Sequence, residues 1–206
     1  MKGQTAFVGD VHGNVDALRG IWSLLSDLAV ERAVFLGDYI NKGPKSADAI
    51  SMLRQLASGD RVTLLRGNHE IALLDALAKQ DLAPFLKMGG AMTIRSYVGH
   101  SVGPDVLTEF VAAMPPEHVA LLRGLTEIYE TGHVIARHCP WDAPPEKYVI
   151  SAHTPVGRVP RIGPDAAQID TGCGDPGGRL TALMWPSLNY IQVDEHGEAV
   201  RSEQQS

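Results

Sequence analysis

The sequence predicts an α/β fold: a two-sheet sandwich flanked by helices, with a parallel βαβαβ unit first and a strand-rich half after it. Three observations predict it. Over the first 80 residues, short apolar runs alternate with segments of helical period. Beyond about Arg123 the helical period gives way to strand-like runs separated by turn residues. Each of the three N-terminal apolar runs also ends in a polar loop flanked by glycine, and in open α/β sheets ligands bind outside the carboxyl ends of the strands.

In order, Thr5 to Gly9 reads as a strand. Asn14 to Ala29 reads as a helix whose apolar face is Val15, Leu18, Trp22, Leu25 and Leu28. Ala33 to Leu36 is a second strand, Ala47 to Ala57 a second helix, Arg61 to Leu65 a third strand and Ile71 to Lys79 a third helix. With connections this short, the strands should lie parallel with right-handed crossovers. Leu82 to Arg123 reads as mainly helical, broken at Gly89-Gly90, Gly103-Pro104 and Pro115-Pro116. Six strand-like runs follow: 126–130, 133–136, 147–151, 167–170, 180–185 and 188–193. All six are assigned to the second sheet, and the tail from Asp194 onward is expected to fray.

The length of 206 residues suits one domain spanning the whole chain, 1–206. A chain 44% apolar and 20% charged has the profile of a globular protein. No apolar run reaches the length of a membrane span, and the start lacks the apolar stretch of a secretory signal. Two cysteines, Cys139 and Cys173, exclude a disulfide scaffold and suit a reducing, cytoplasmic location. A net charge of −6 argues against a nucleic-acid partner, while a small anion remains compatible because cations in a cleft reverse the local field.

The chemistry concentrates in three loops: Gly9-Asp-Val-His-Gly13, Gly37-Asp-Tyr-Ile-Asn-Lys-Gly43 and Gly67-Asn-His-Glu70. Asp10 and His12, two apart on an extended segment, should point the same way. One βα unit separates Asp10 from Asp38, and another Asp38 from Asn68, so all three loops reach one sheet edge. His138 and His153 each close a later strand-like run. Carboxylate, imidazole and amide donors together suit Mn, Fe or Zn. Two such ions, about 3.5–4 Å apart, acidify a water enough for hydrolysis near neutral pH. Taken singly, these signals are weaker. Asn68 could simply cap a helix, and a histidine near a strand end is more often a hydrogen-bonded structural residue. Order and spacing together carry the argument. His100, His118, His133 and His196 have no motif around them and read as surface or structural.

These residues resemble the calcineurin-like metallophosphoesterases. Among those they are similar to the phosphoprotein (serine/threonine) phosphatases of compact bacterial and phage type, and to symmetrical bis(nucleosyl)-tetraphosphatases. The resemblance runs from Gly9 to about Trp185, through GDxHG, GDxxDRG, GNHE, a late GHTP-like run at His153 and the Ile169-Asp-Thr-Gly172 strand. It implies two divalent metal ions held by Asp10, His12, a bridging Asp38, Asn68, His138 and His153. It further implies His69 as the acid that protonates the leaving oxygen, Asn41 as support for His69, and Lys42 and Asn68 as phosphate contacts. Three departures stand out. The family's Asp-Arg-Gly is Asn41-Lys42-Gly43, which removes a negative charge beside His69 and a two-point grip on phosphate. The family's His-Ala-Gly is His138-Cys139-Pro140. The interval from His138 to His153 is short and contains no arginine, so Arg158 is the expected replacement clamp. The implied substrate is a phosphorylated protein or a small phosphate ester. A dinucleoside tetraphosphate is the alternative, as is a weakened metal- or phosphate-binding module. A nuclease is disfavoured by the acidic balance.

Overall fold

Alternation along the first strand decides the layering. The computed structural model describes residues 3–99, 103–140 and 146–200. In it, β1 (Thr5–Val8) sends Ala6 and Val8 into one apolar cluster and Phe7 into another. β2 (Arg32–Phe35) does the same, with Ala33 and Phe35 on the first side and Val34 on the second. The first cluster joins this sheet to its helices; the second joins it to a second sheet.

The first sheet adds β3 (Val62–Leu64), parallel to β2 as β2 is to β1. The second holds β4 (Ile128–Glu130), β5 (Val134–Arg137), β6 (Tyr148–Ser151), β7 (Arg161–Ile162) and β8 (Ala166–Gln168), in the order β4-β5-β6-β8-β7. Not every late strand joins this sheet, contrary to the expectation from sequence. β9 (Leu180–Trp185) and β10 (Tyr190–Val193) return to the first sheet, β9 pairing antiparallel with β1 so that Ala182 faces Val8. A further strand, β11 (Ala199–Val200), pairs with β10, so residues 194–200 form a turn and strand and do not fray. Neither β7 nor β11 was expected, since each is only two residues long.

Helix α1 (Val15–Asp27) starts at Asn14, whose side chain accepts the Ala17 N–H at 3.0 Å. Its buried face includes Ile21, while Leu28, expected on that face, is 52% exposed. α2 (Ser46–Leu56) follows the second loop, and α3 (Asn68–Lys79) the third. The middle segment forms α4 (Ala83–Lys87), α5 (Gly90–Val98), α6 (Val106–Ala113) and α7 (Pro116–Gly124). These helices break where expected. Gly89 takes φ +84° between α4 and α5, and the Pro115-Pro116 pair opens α7. His118 is buried between Ser51 Oγ (3.1 Å) and the Tyr97 hydroxyl (2.9 Å), a structural role; His133 and His196 are exposed. His100, residues 141–145 inside the His138–His153 interval, and the tail beyond 200 lie outside the described residues.

Phe7 is fully buried in the cluster joining the sheets and meets Tyr129 edge-on at 5.7 Å. Phe7→Ala should cost about 3–5 kcal/mol, a loss of roughly 6 °C or more in Tm. A thermal melt within about 2 °C of wild type would mean that packing between the sheets contributes little at this position.

Candidate metal centre

The three N-terminal loops are fastened together by their backbones before any functional side chain is considered. The N–H groups of Val11 and His12 both donate to the Asp38 carbonyl (3.1 and 2.8 Å), and Gly13 N–H donates to Tyr39 O (2.8 Å). Gly43 and Lys45 donate back to His12 and Gly13. The second loop meets the third through Glu70. Its buried carboxylate accepts the N–H of Asp38 (2.9 Å), Tyr39 (2.8 Å) and Gly67 (3.0 Å). Glu70 therefore caps α3 at its N-cap Gly67 and holds the neighbouring loop as well. Asn68 is the first residue of α3 rather than its cap. Glycine is required where these loops touch: a Cβ on Gly37 would lie 2.5 Å from Gly67 N, and one on Gly67 would lie 2.1 Å from Asp38 Oδ1.

The side chains then converge. Oδ2 of Asp38 faces Nε2 of His138, His69 and His12 at 3.3, 3.7 and 3.8 Å. Asp10 Oδ2 lies 3.7 Å from His12 Nε2, and Asp10 Oδ1 lies 3.7 Å from His138 Nδ1. Asn68 Oδ1 sits 2.8 Å from His138 Nε2 and 2.9 Å from His153 Nδ1. All six residues expected to hold metal are thus in one cluster. His12 does not reach it along an extended segment, as the sequence suggested. It takes φ +47°, and Asp38, Asn41, Lys42 and His153 are also left-handed, at +53°, +72°, +55° and +71°. Five of the eight described non-glycine residues with positive φ belong to this site, and each such conformation costs on the order of 1–3 kcal/mol.

Electrostatically the cluster calls for cations. Burial and the charges of Asp38 and Asp170 push the Asp10 carboxyl well above its usual range, and its buried Oδ2 has no hydrogen-bond partner. Asp170, just past the end of β8, is raised by burial and likewise leaves Oδ2 unpartnered. Burial would also raise Asp38, but the hydrogen bond and charge of His138, with His69 and His12, bring it down to about 2. Burial lowers His12 to about 4, so its ring is neutral and its lone pair is available. Clustered carboxylates, the neutral His12 ring, the neighbouring imidazoles and orphaned buried oxygens make a donor set that suits divalent ions.

Beside it, Asn41 Nδ2 is 2.6 Å from His69 Nδ1. The amide's orientation is fixed by its other contacts: Nδ2 also donates to Met88 O (3.2 Å), and Oδ1 accepts from the Thr93 hydroxyl (2.6 Å). His69 Nδ1 therefore accepts, and the proton of the neutral ring sits on Nε2, facing Asp38. Burial lowers the His69 pKa, against the opposing charge of Asp38. Lys42 extends to Asp175, with Nζ–Oδ2 at 3.0 Å. Arg158 is exposed, its Nη2 beside Gly177 in the loop that carries Asp175, and its carbonyl is held by Gln192. It is not among the clustered donors. Sequence reasoning overlooked Glu70, Thr93, Asp170 and Cys139. Glu70 and Asp170 stood inside recognised motifs, and Cys139 stood beside a predicted ligand. Thr93 had no signal.

Glu70→Ala would leave three buried N–H groups without acceptors, at about 1–3 kcal/mol each. We expect Tm to fall by roughly 6–12 °C or more, with bound metal lost as the second and third loops separate. A variant as stable as wild type would show that the loops are held by other contacts.

The model of the calcineurin-like phosphoesterase family matches residues 3–157. The chain is 23% identical to the asymmetrical bis(5'-nucleosyl)-tetraphosphatase PrpE of Halalkalibacterium halodurans, over 92% of this chain and 93% of that one. It is 35% identical to a symmetrical bis(5'-nucleosyl)-tetraphosphatase of Baumannia cicadellinicola, over 34% of this chain and 24% of that one. The chain spans only 18 to 39% of the first curated relatives it matches. Among solved structures, a metallophosphoesterase of Sphaerobacter thermophilus aligns with TM-score 0.55 at 16% identity, covering 96% of this chain and 88% of that one. A cold-active protein-tyrosine phosphatase of a psychrophilic Shewanella aligns with TM-score 0.59 at 15% identity, covering 96% and 80%. These two likenesses concern the fold. No described helix is long and apolar enough to cross a membrane. With the family model covering most of its length and the family's motif residues gathered at one sheet edge, the chain belongs to the calcineurin-like phosphoesterases.

Proposed function

We propose that this chain hydrolyses phosphate esters at a two-ion centre held by Asp10, His12, Asp38, Asn68, His138 and His153, with His69 protonating the leaving oxygen. One observation carries the reading: a single carboxylate oxygen, Asp38 Oδ2, faces three ring nitrogens from three separate segments of the chain at 3.3 to 3.8 Å. A shared central donor is what a bridged pair of ions needs. Divalent ions would supply Lewis-acid charge to the phosphoryl oxygens and acidify the attacking water. The nitrogen and oxygen donors suit manganese, iron or zinc.

The chain's own residues orient that chemistry. The backbone N–H of His69 donates to Asp38 Oδ1 (3.0 Å), which leaves Oδ2 to face the centre. Nδ1 of His12 lies 3.0 Å from Ile40 O, and Nδ1 of His138 lies 3.1 Å from Leu36 O. Each ring gives its proton to a carbonyl and presents Nε2 as a ligand. Asn41 leaves the His69 proton on Nε2, where a leaving oxygen can take it. Lys42 and Asn68 are the phosphate contacts, and Arg158, whose Nη2 lies beside Gly177, is the further candidate. The phosphate-facing charge is reduced because Asp175 pairs with Lys42. A phosphorylated protein or a small phosphate ester is the substrate class, in a cytoplasmic setting consistent with two free cysteines. A dinucleoside tetraphosphate is the second reading, favoured by the near full-length match to a bis(5'-nucleosyl)-tetraphosphatase.

Protein loaded with Mn²⁺ and desalted should carry about two ions per chain, and Asp38→Ala should lose more metal than Asp10→Ala. Elemental analysis giving one ion or none in wild type would sink the two-ion centre. Equal losses in the two variants would remove Asp38 from its bridging role.

His69→Asn should keep its metal and retain most p-nitrophenyl phosphate turnover. It should slow an alkyl phosphate or phosphoserine peptide by about 10²-fold or more, the usual worth of a positioned acid. Loss of metal in this variant would make His69 a ligand instead. Diadenosine tetraphosphate measured alongside separates the two substrate readings by kcat/KM.

A further inference from the structure

The centre has one soft edge. Cys139 follows His138 at the end of β5 and is half-buried. Its Sγ and one ring nitrogen each of His138 and His153 lie within 4.8 Å of one another. Nε2 of His138 and Nδ1 of His153 stand 3.1 Å apart and flank Asn68 Oδ1 at 2.8 and 2.9 Å. Cys139, Asn68 and His138 also line one cavity of about 170 Å³, so the thiol borders open space beside the cluster and not packed core. Cys173 differs in each respect. It is 2% exposed, and its S–H donates to Val11 O at 3.3 Å.

We infer that Cys139 is a further ligand of the ion held by Asn68, His138 and His153, and that it makes this half of the centre selective for thiophilic ions such as zinc. The inference rests on the two-ion reading above. Its physical basis is the contrast between the halves. Asp10, His12 and Asp38 offer two carboxylates and an imidazole, a set that accommodates manganese as well as zinc. Two imidazoles, an amide oxygen and a thiolate instead approach the nitrogen and sulfur environment in which zinc is held most firmly. Thiolates discriminate strongly against manganese and magnesium. On ligation the S–Zn contact forms and the thiol proton passes to solvent, so zinc uptake at this half releases a proton that manganese uptake would not. The centre is then a mixed one by construction, with a harder half on the first sheet and a softer half that joins Asn68 of the first sheet's third loop to residues past β5 and β6.

The full chain, stripped by chelation, is titrated with Co²⁺ and followed by absorbance and elemental analysis. A thiolate-to-cobalt charge-transfer band should appear in wild type and be absent in Cys139→Ser, while both bind two ions. Zinc affinity should fall at least about tenfold in the variant, and manganese affinity should change by less than about twofold. Zinc should also protect Cys139 of the unmutated protein from N-ethylmaleimide, read by mass spectrometry, where Mg²⁺ does not; buried Cys173 is the internal control. Two bound ions without the band, a band that survives in Cys139→Ser, or equal alkylation with and without zinc would each overturn the inference and leave the two-ion reading standing. A wild-type protein that binds no ions would overturn both.

Discussion

The carboxylate of Glu70 is the contact on which the rest of the site depends. Three N–H groups from two loops point at it inside the protein, from Asp38, Tyr39 and Gly67. Without such an acceptor, each would be a buried donor with no partner, and the loops would have to move outward to find water. Burial and the nearby Asp38 charge push the Glu70 carboxyl up to about 7, and the amides of Tyr39 and Gly67 oppose that rise. The balance matters because the same bonds fix the backbone that presents Asp38. The first loop is tied to Asp38 by its carbonyl and the third by Glu70, so one residue's backbone is the junction of all three.

That junction holds together groups that repel one another. Burial disfavours the charged forms of Asp10 and Asp170, and the nearby charge of Asp38 disfavours both further. Left-handed backbone at His12, Asp38, Asn41, Lys42 and His153 adds strain. A chain tolerates such a concentration only where its surroundings over-determine it. Here the surroundings are two fully packed apolar clusters, one on each face of the first sheet. The stability of the sandwich is what permits an unstable arrangement at its edge, and bound cations would relieve most of the repulsion.

Much of this was legible in the sequence, for a definable reason. Glycine-flanked loops after predicted strands fix both the location and the order of Asp10, His12, Asp38, Asn68 and His69, because the βα repeat carries each to the same edge. The placement of β9 and β10 was not legible. Alternation tells which residues share a face but not which sheet a strand joins, and an antiparallel return beside β1 looks the same as a place in the second sheet. His12 was misread as extended because two-residue spacing suits a strand, whereas the backbone there turns left-handed to meet the second loop. Glu70 was overlooked because a glutamate three residues into a helix is ordinary, and its second set of partners comes from a loop about thirty residues away. Arg158 was expected at the phosphate on sequence proximity to His153. Its exposed position beside Gly177 follows from the Gln192 and Arg179 contacts to its carbonyl, which no local pattern encodes.

The two departures at Asn41 and Lys42 change the site in one direction. An aspartate at position 41 would accept a hydrogen bond from Nδ1–H of His69 and favour the charged ring. Asn41, turned by Met88 O and Thr93, presents N–H instead and leaves a neutral ring with its proton on Nε2. An arginine at position 42 would bring a planar two-point donor. Lys42 brings a single ammonium, already paired with Asp175. The first change disfavours a charged His69 ring, and the second keeps a positive charge but loses the two-point grip that would hold a phosphoryl group in transit. Phosphoryl transfer is governed mainly by positioning and charge, so a site with fewer fixed cations depends more on whatever ions it holds. The character of the second half of the proposed centre, where His138-Cys139-Pro140 stands in place of the family's His-Ala-Gly, then bears directly on how strongly a phosphoryl group would be held.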